Sequence, residues 1–299
     1  MGHGRYSTVS YLATTAKSIE DGTAMDYSRT MMRSQPRSSW KMHELLDPKR
    51  QNKEGDNAGT IIRESLDFDE HPNTTPIVVV LDVTGSMASV PLQILKTLPD
   101  LMDKLHEAKV PDPQVLICAV GDEFSDAVPF QIGQFESDNR IDEQINAIVP
   151  EGGGGGGNHE SYATMAFFLA NYTHLDSHAL RDTKGLCFFI GDERLYKNVS
   201  AKAVQQHFDD KFIGQEFETT DIFKDLQEKF DTFLFYSDHH RDGGEGVIRN
   251  GDRTYDADRA ITWDKVLDQE QILILDEPDK VCSRIAQVVA SRAGELSEA

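Results

Sequence analysis

Six short runs in this chain are apolar at most positions in succession, where a half-buried strand would alternate. They are TPIVVVLD (75–82), PQVLICAVGD (113–122), VPFQIGQF (128–135), GLCFFIGD (185–192), DTFLFYS (231–237) and QILILD (271–276). A strand with one wet face alternates apolar and polar residues, so a continuous run must be covered on both faces. Helical spacing appears between the runs. Ile94, Leu98, Leu101 and Leu105 recur on one face with Leu95 and Met102 beside them, and Ile141, Ile145 and Ile148 mark a shorter helix. ESYATMAFFLANY (160–172) has a heavy apolar face, and further helices are predicted near 199–208 and 278–295. Strand and helix in alternation predict a doubly wound, Rossmann-like α/β fold: a mostly parallel six-stranded sheet with helices on both faces. Such folds bind ligands at the carboxyl ends of their strands. Asp82, Asp122 and Asp192 end three of the runs there, and Asp276 ends the last.

Residues 1–73 differ in character. SRTMMRSQPRSSWKMHELLDPKRQNKEGDNAG is polar and without clear period, which predicts an irregular N-terminal arm, extended or partly disordered. HPNTTP (71–76) punctuates the boundary, so the α/β domain is expected over 74–299. The 299 residues carry 51 acidic against 30 basic side chains, a formal charge of −21. Such a surface repels nucleic acid and anionic lipid and leaves protein partners as the expectation. Cys118, Cys187 and Cys282 are far apart without CxxC spacing, which argues against a disulfide framework or a zinc site. MGHGRYSTVSYLATTAK has no sustained apolar core, and no run reaches the ~20 apolar residues of a membrane span. The expectation is a soluble, cytoplasmic protein.

The run VVVLDVTGSM raises a chemical question, because a buried strand ends on a charge and two hydroxyls follow it. Asp82, Thr84 and Ser86 alternate along the chain, and Gly85 permits a sharp turn between the hydroxyls. Carboxylate and hydroxyl oxygens are hard donors that suit Mg²⁺ or Mn²⁺. One loop cannot surround such an ion, so neighbouring loops must complete the shell. The competing structural reading is that Thr84 or Ser86 caps the helix that follows.

Asp-x-Thr-Gly-Ser-Met after an apolar strand resembles the metal-ion-dependent adhesion site (MIDAS) of von Willebrand factor A (VWA) domains. The resemblance covers residues 75 to about 297. It implies that Asp82, Thr84 and Ser86 form the first ligand loop, and that Asp192 in FFIGDE supplies a third, with Gly-Asp-Glu where the family has Thr-Asp-Gly or Ser-Asp-Gly. The family's second loop carries a threonine after glycines. Here EGGGGGGNHESYATMAF offers Asn158, Glu160 and Ser161, with Thr164 a turn later. The resemblance favours Ser161 in the threonine's place, Glu160 as a direct or water-mediated neighbour, and Asn158 as a helix cap. It implies Mg²⁺ or Mn²⁺ as the cofactor, no catalysis, and an open metal position for an Asp or Glu of a partner protein. Adaptor or assembly roles beside larger machines such as AAA+ ATPases follow from the same likeness. A scaffold whose ion only stiffens the loops, or a metal-dependent hydrolase using His159 or Glu160 as base, are the alternatives.

Other motifs read less sharply. The glycine run lacks the Gly-Lys-Ser/Thr of a phosphate loop. A haloacid-dehalogenase phosphatase would need an acid at position 84, which is threonine. Adjacent His239 and His240 with Asp242 are poorly spaced for chelation. Ser86 lacks the GxSxG setting of a nucleophile. Asp122 either orients a metal-bound water or closes the turn after its strand, and the turn is the favoured role.

Overall fold

The computed structural model describes residues 4–152, 159–208, 216–237, 245–248, 259–275 and 277–298. Six strands form the central sheet: β1 (Thr75–Asp82), β2 (Pro113–Val120), β3 (Phe130–Ile132), β4 (Gly185–Gly191), β5 (Phe230–Tyr236) and β6 (Ile272–Ile274). Their order is β6-β5-β4-β1-β2-β3, parallel throughout except for the short edge strand β3, which runs antiparallel to β2. The doubly wound α/β architecture expected from the apolar runs is therefore the observed one. The third run yields only three paired residues, because Pro129 brings no N–H to a ladder and Gly133 follows at once.

Each central strand divides its side chains between two cores. Ile77, Val79 and Leu81 of β1 face one, and Val78 and Val80 the other. The first core is closed by α1 (Val90–Glu107), α2 (Arg140–Asn146) and α6 (Val281–Glu298). The second is closed by α3 (Tyr162–Asn171), α4 (Ala201–His207) and α5 (Thr219–Lys229). At about 1.5–3 kcal/mol for each fully buried Val, Leu or Ile, a strand covered on both faces is worth far more than an edge strand. All three cysteines are buried and free. No described helix is long and apolar enough to cross a membrane.

The first 73 residues, read from sequence as an extended or partly disordered arm, are laid against the domain over their described part. Thr8–Glu20 is helical through a π turn at Leu12–Ala16, Asp26–Ser34 is a second helix, and Arg63–Ser65 pairs in parallel with Thr173–Leu175. The segment docks by isolated anchors, which is why no periodic signal announces it. Met25 and Leu46 enter the first core, and Met31 packs with Val128 and Val149. Tyr6 and Thr15 donate to the carboxylate of Asp142 at 3.0 and 3.1 Å. Arg63 is fully buried, with its guanidinium donating to the carbonyls of Asp47, Arg50 and Ile61 and lying over the ring of Phe168. Burial pulls its pKa down to about 10.

One anchor answers a defect in α1. Pro99 lies inside that helix and has no N–H to give the carbonyl of Leu95 four residues back. The hydroxyl of Tyr11 donates to that carbonyl at 3.0 Å and to the Lys96 carbonyl at 3.3 Å. Tyr11→Phe keeps the ring and removes the donor, leaving a buried carbonyl unpaired. It is expected to lower the unfolding free energy by about 1–3 kcal/mol in urea titration, with the m-value unchanged.

Candidate functional site

Strand order places the site. The chain leaves β1 towards β2 on one side and returns to β4 on the other, so β1 and β4 flank the switch point of the sheet. Leu81 pairs with Ile190 and Asp82 with Val120. Asp82, Asp122 and Asp192 therefore emerge together at the carboxyl edge.

Asp82 is fully buried. Its Oδ1 accepts from the Thr84 amide at 2.8 Å and the Thr84 hydroxyl at 2.7 Å, and its Oδ2 accepts from the hydroxyl of Tyr162. Gly85 takes a φ of +28°, and the chain turns there into the 3₁₀ segment Gly85–Ser89. Ser86 sits in that turn, and its side chain lies outside what is described. Neither Thr84 nor Ser89 caps the following helices through its side chain. The Thr84 hydroxyl turns instead to Asp82, so the capping alternative does not hold for Thr84.

Two short pairings carry the other loops in. His159–Glu160 pairs in parallel with Arg194–Tyr196, which pairs antiparallel with Ala260–Ile261. This small sheet ties the loop before α3 to the loop after β4. Ser161 is fully buried, and its Oγ accepts from the Glu123 amide at 2.9 Å. That contact ties Ser161 to the loop after β2, and the side chain that reaches Asp82 from α3 is Tyr162. Thr164 donates to Glu123 at 2.7 Å. Asn158, His239, His240 and Asp242 lie outside the described residues.

Asp122 has the turn role. Its Oδ1 accepts from the Phe124 amide at 3.1 Å and the Tyr196 hydroxyl at 2.9 Å, and its Oδ2 accepts from Ser125 at 2.9 Å. Asp126 closes the turn by accepting from the Asp122 amide at 2.8 Å. Arg37, from the N-terminal segment, bridges Asp126 and Glu151, with Nε 3.0 Å from Glu151. Both of those carboxylates are fully buried. Glu151 opens the glycine run, and Gly152 donates to the Val83 carbonyl at 3.1 Å. Arg37 thus staples the loop after β2 to the loop leading into α3.

The electrostatics are one-sided. Burial, then the facing carboxylate of Asp192, raises the pKa of Asp82. Burial, then Asp82 and Asp122, raises that of Glu160. Glu123 and Glu193 are each pushed up to about 7 and Asp126 to about 6, with burial the main cause. Arg194 draws Glu193 down but does not offset its burial. Glu160 is 3 % exposed, and its Oε2 is buried without a hydrogen-bond partner among the described residues. A buried carboxyl oxygen with no donor is costly and calls for a proton or a cation.

Among the described residues, no three His, Cys, Asp or Glu side chains converge as a ready-made metal cage. The candidate donors on these loops are a mixed set, the carboxylates of Asp82, Asp192 and Glu160 and the hydroxyl of Thr84, of which Thr84 and Asp82 are in direct contact. They fit a hard divalent cation by donor type, and the unpartnered Glu160 oxygen fits one by need.

Sequence reasoning overlooked Tyr162, Glu123, Glu193 and Arg37. A signal for Tyr162 exists only as a pair: a Cβ at Gly191 would collide with its hydroxyl, so the glycine before Asp192 makes room for the tyrosine.

No protein-family model and no curated protein matches the chain. Solved structures do. The chain is similar to the pilus adhesin SpaC from Lactobacillus rhamnosus GG at 12 % identity and TM-score 0.49, over 74 % of this chain and 31 % of the adhesin. It is similar to the conserved hypothetical protein BatB from Bacteroides thetaiotaomicron at 12 % identity and TM-score 0.41, over 74 % and 99 %. A von Willebrand factor type A protein from Catenulispora acidiphila matches at 10 % identity and TM-score 0.36, over 74 % and 43 %. The chain spans less than a third of the length of the adhesin.

Two outcomes follow for the metal-free protein. Glu123, Glu193 and Asp126 bind protons more tightly folded than unfolded, so the native state holds more protons between about pH 4 and 7. Stability is therefore greatest at the acid end of that window and falls as pH rises through 7. Chelator-treated protein should melt at a higher temperature at pH 5.5 than at pH 8, about one unit either side of those pKa values. Tyr162→Phe should cost about 1.5–3 kcal/mol near neutral pH by denaturant titration, since it strips a donor from Asp82, and less at pH 5.5, where the carboxyl is protonated.

Proposed function

We propose that the chain is a VWA-like protein-binding module whose switch-point loops hold one divalent cation, Mg²⁺ or Mn²⁺, and present it to a carboxylate of a partner protein. The observation that carries this reading is Asp82: fully buried, hydrogen-bonded by Thr84, and crowded by Asp192 and Glu160. Like charges so placed repel unless a cation joins them. The motif Asp82-x-Thr84-x-Ser86 and the aspartate after β4 support the VWA resemblance at the matching positions.

In this reading Asp82, Thr84 and Asp192 hold the ion, Ser86 contributes from the same loop, and Glu160 sits beside it as ligand or water acceptor. When bound, the ion supplies a Lewis-acidic position for an incoming oxygen. The chain's own residues orient that position. Tyr162 fixes the Asp82 carboxylate from behind, Ser161 holds Glu123 and with it the loop after β2, and Arg37 clamps that loop to the glycine run. The activity is recognition, not turnover.

Calorimetric titration of Mg²⁺ and Mn²⁺ into chelator-treated protein tests it. Wild type is expected to show saturable one-site binding, with heats abolished in Asp82→Ala and weakened by about tenfold or more in Glu160→Gln. Absence of binding in folded wild type would sink the proposal.

A further inference from the structure

One aromatic at the carboxyl edge of the sheet is left largely outside the core. Phe124 is 70 % exposed. Its backbone is nevertheless fixed: its amide is bonded to Asp122, Asp122 accepts from Ser125, and Asp126 accepts from Asp122. The ring meets Tyr196 edge to face at 5.0 Å, and Tyr196 meets His159 edge to face at 4.3 Å. The Tyr196 hydroxyl is anchored on Asp122. These three rings come from the loops after β2, after β4 and before α3, the same loops that deliver Asp122, Asp192 and Glu160. They form an aromatic rim beside the carboxylate cluster, with the Phe124 backbone and the Tyr196 hydroxyl both held on Asp122. An apolar side chain already held in place loses little entropy on binding, which is what makes a rigid aromatic an effective anchor.

We propose that this rim is the second half of the protein-binding surface, and that its occupant is a partner segment carrying one carboxylate, a bulky apolar side chain beside it, and no second acid. The proposal rests on the cation reading above. Charge complementarity selects the occupant. The cation accepts one carboxylate, while Asp122, Glu123 and Glu193 around it repel any other. Phe124 and Tyr196 offer the neighbouring position to an apolar ring or aliphatic chain, for which a charged or small side chain is a poor fit.

The test uses acetylated, amidated synthetic peptides, so that each carries only its side-chain charge. The probes are Gly-Gly-Asp-Phe-Gly-Gly, Gly-Gly-Phe-Asp-Gly-Gly, Gly-Gly-Asp-Ala-Gly-Gly and Gly-Gly-Asp-Phe-Asp-Gly. Binding at saturating Mg²⁺ is read by NMR titration of the peptide resonances. One of the two Asp/Phe orders is expected to bind wild type about tenfold tighter than the Asp-Ala peptide, and the second acid is expected to weaken it. Phe124→Ser should erase the preference for the aromatic peptide. Leu180→Ser, an equally exposed apolar residue on the helix Asp176–Arg181 that precedes the opposite end of β4, should leave it intact. Equal binding of the aromatic peptide by wild type and Phe124→Ser overturns the rim proposal, as does failure of every peptide to bind protein that calorimetry shows to be Mg²⁺-loaded. Failure of wild type to take up Mg²⁺ overturns the cation reading, and the rim proposal with it.

Discussion

Burial of the Asp82 carboxylate, at the end of a strand that has no wet face, is the constraint to which the surrounding loops answer. β1 must be apolar on both sides because α1 and α6 cover one face and α3 and α5 the other. Its last side chain therefore ends in the interior with a charge. Every nearby device addresses that charge: the Thr84 hydroxyl, the Tyr162 hydroxyl, and the space left by Gly191 that lets Tyr162 reach it. The carboxylates of Asp192 and Glu160 then add to the problem. A fold gains nothing in stability from stacking acids in its interior. On the proposed reading, a bound cation offsets that repulsion.

The loops are not independent of the chain's beginning. Arg37 neutralises two buried carboxylates on different loops, and Met31 covers Val128 and Val149 next to them. What composition presents as a polar arm is thus a brace for the site. Among its basic residues, Arg37 and Arg63 are placed where buried acids or buried carbonyls wait for them.

The sheet was legible because its signal is local. Continuous β-branched and aromatic runs report two-sided burial without any knowledge of neighbours, and five of the six runs became strands within a residue or two of their expected ends. The first loop was legible for the same reason, since Asp82, Thr84 and Gly85 lie within four positions. What could not be read depends on partners far away in sequence. Tyr162 looks like a helix residue until Gly191 is seen opposite it. The Glu123 amide reaches Ser161 from a loop that no pattern links to α3. The N-terminal segment docks by single residues spaced irregularly, and irregular spacing has no period to detect.

The anchoring of that segment sets an order on the chain's biogenesis. Tyr11 waits for the Leu95 carbonyl, Tyr6 and Thr15 for Asp142, and Arg63 for the strand at Thr173. At ribosomal rates of about 5–20 residues per second, this segment stays undocked for on the order of ten seconds while its receptors further along the chain are synthesised. During that interval Val9 and Leu12, which remain exposed even in the finished fold, share the surface with Tyr11 and Met25, which do not. The helix that ends as a brace thus begins as the nascent chain's exposed apolar segment.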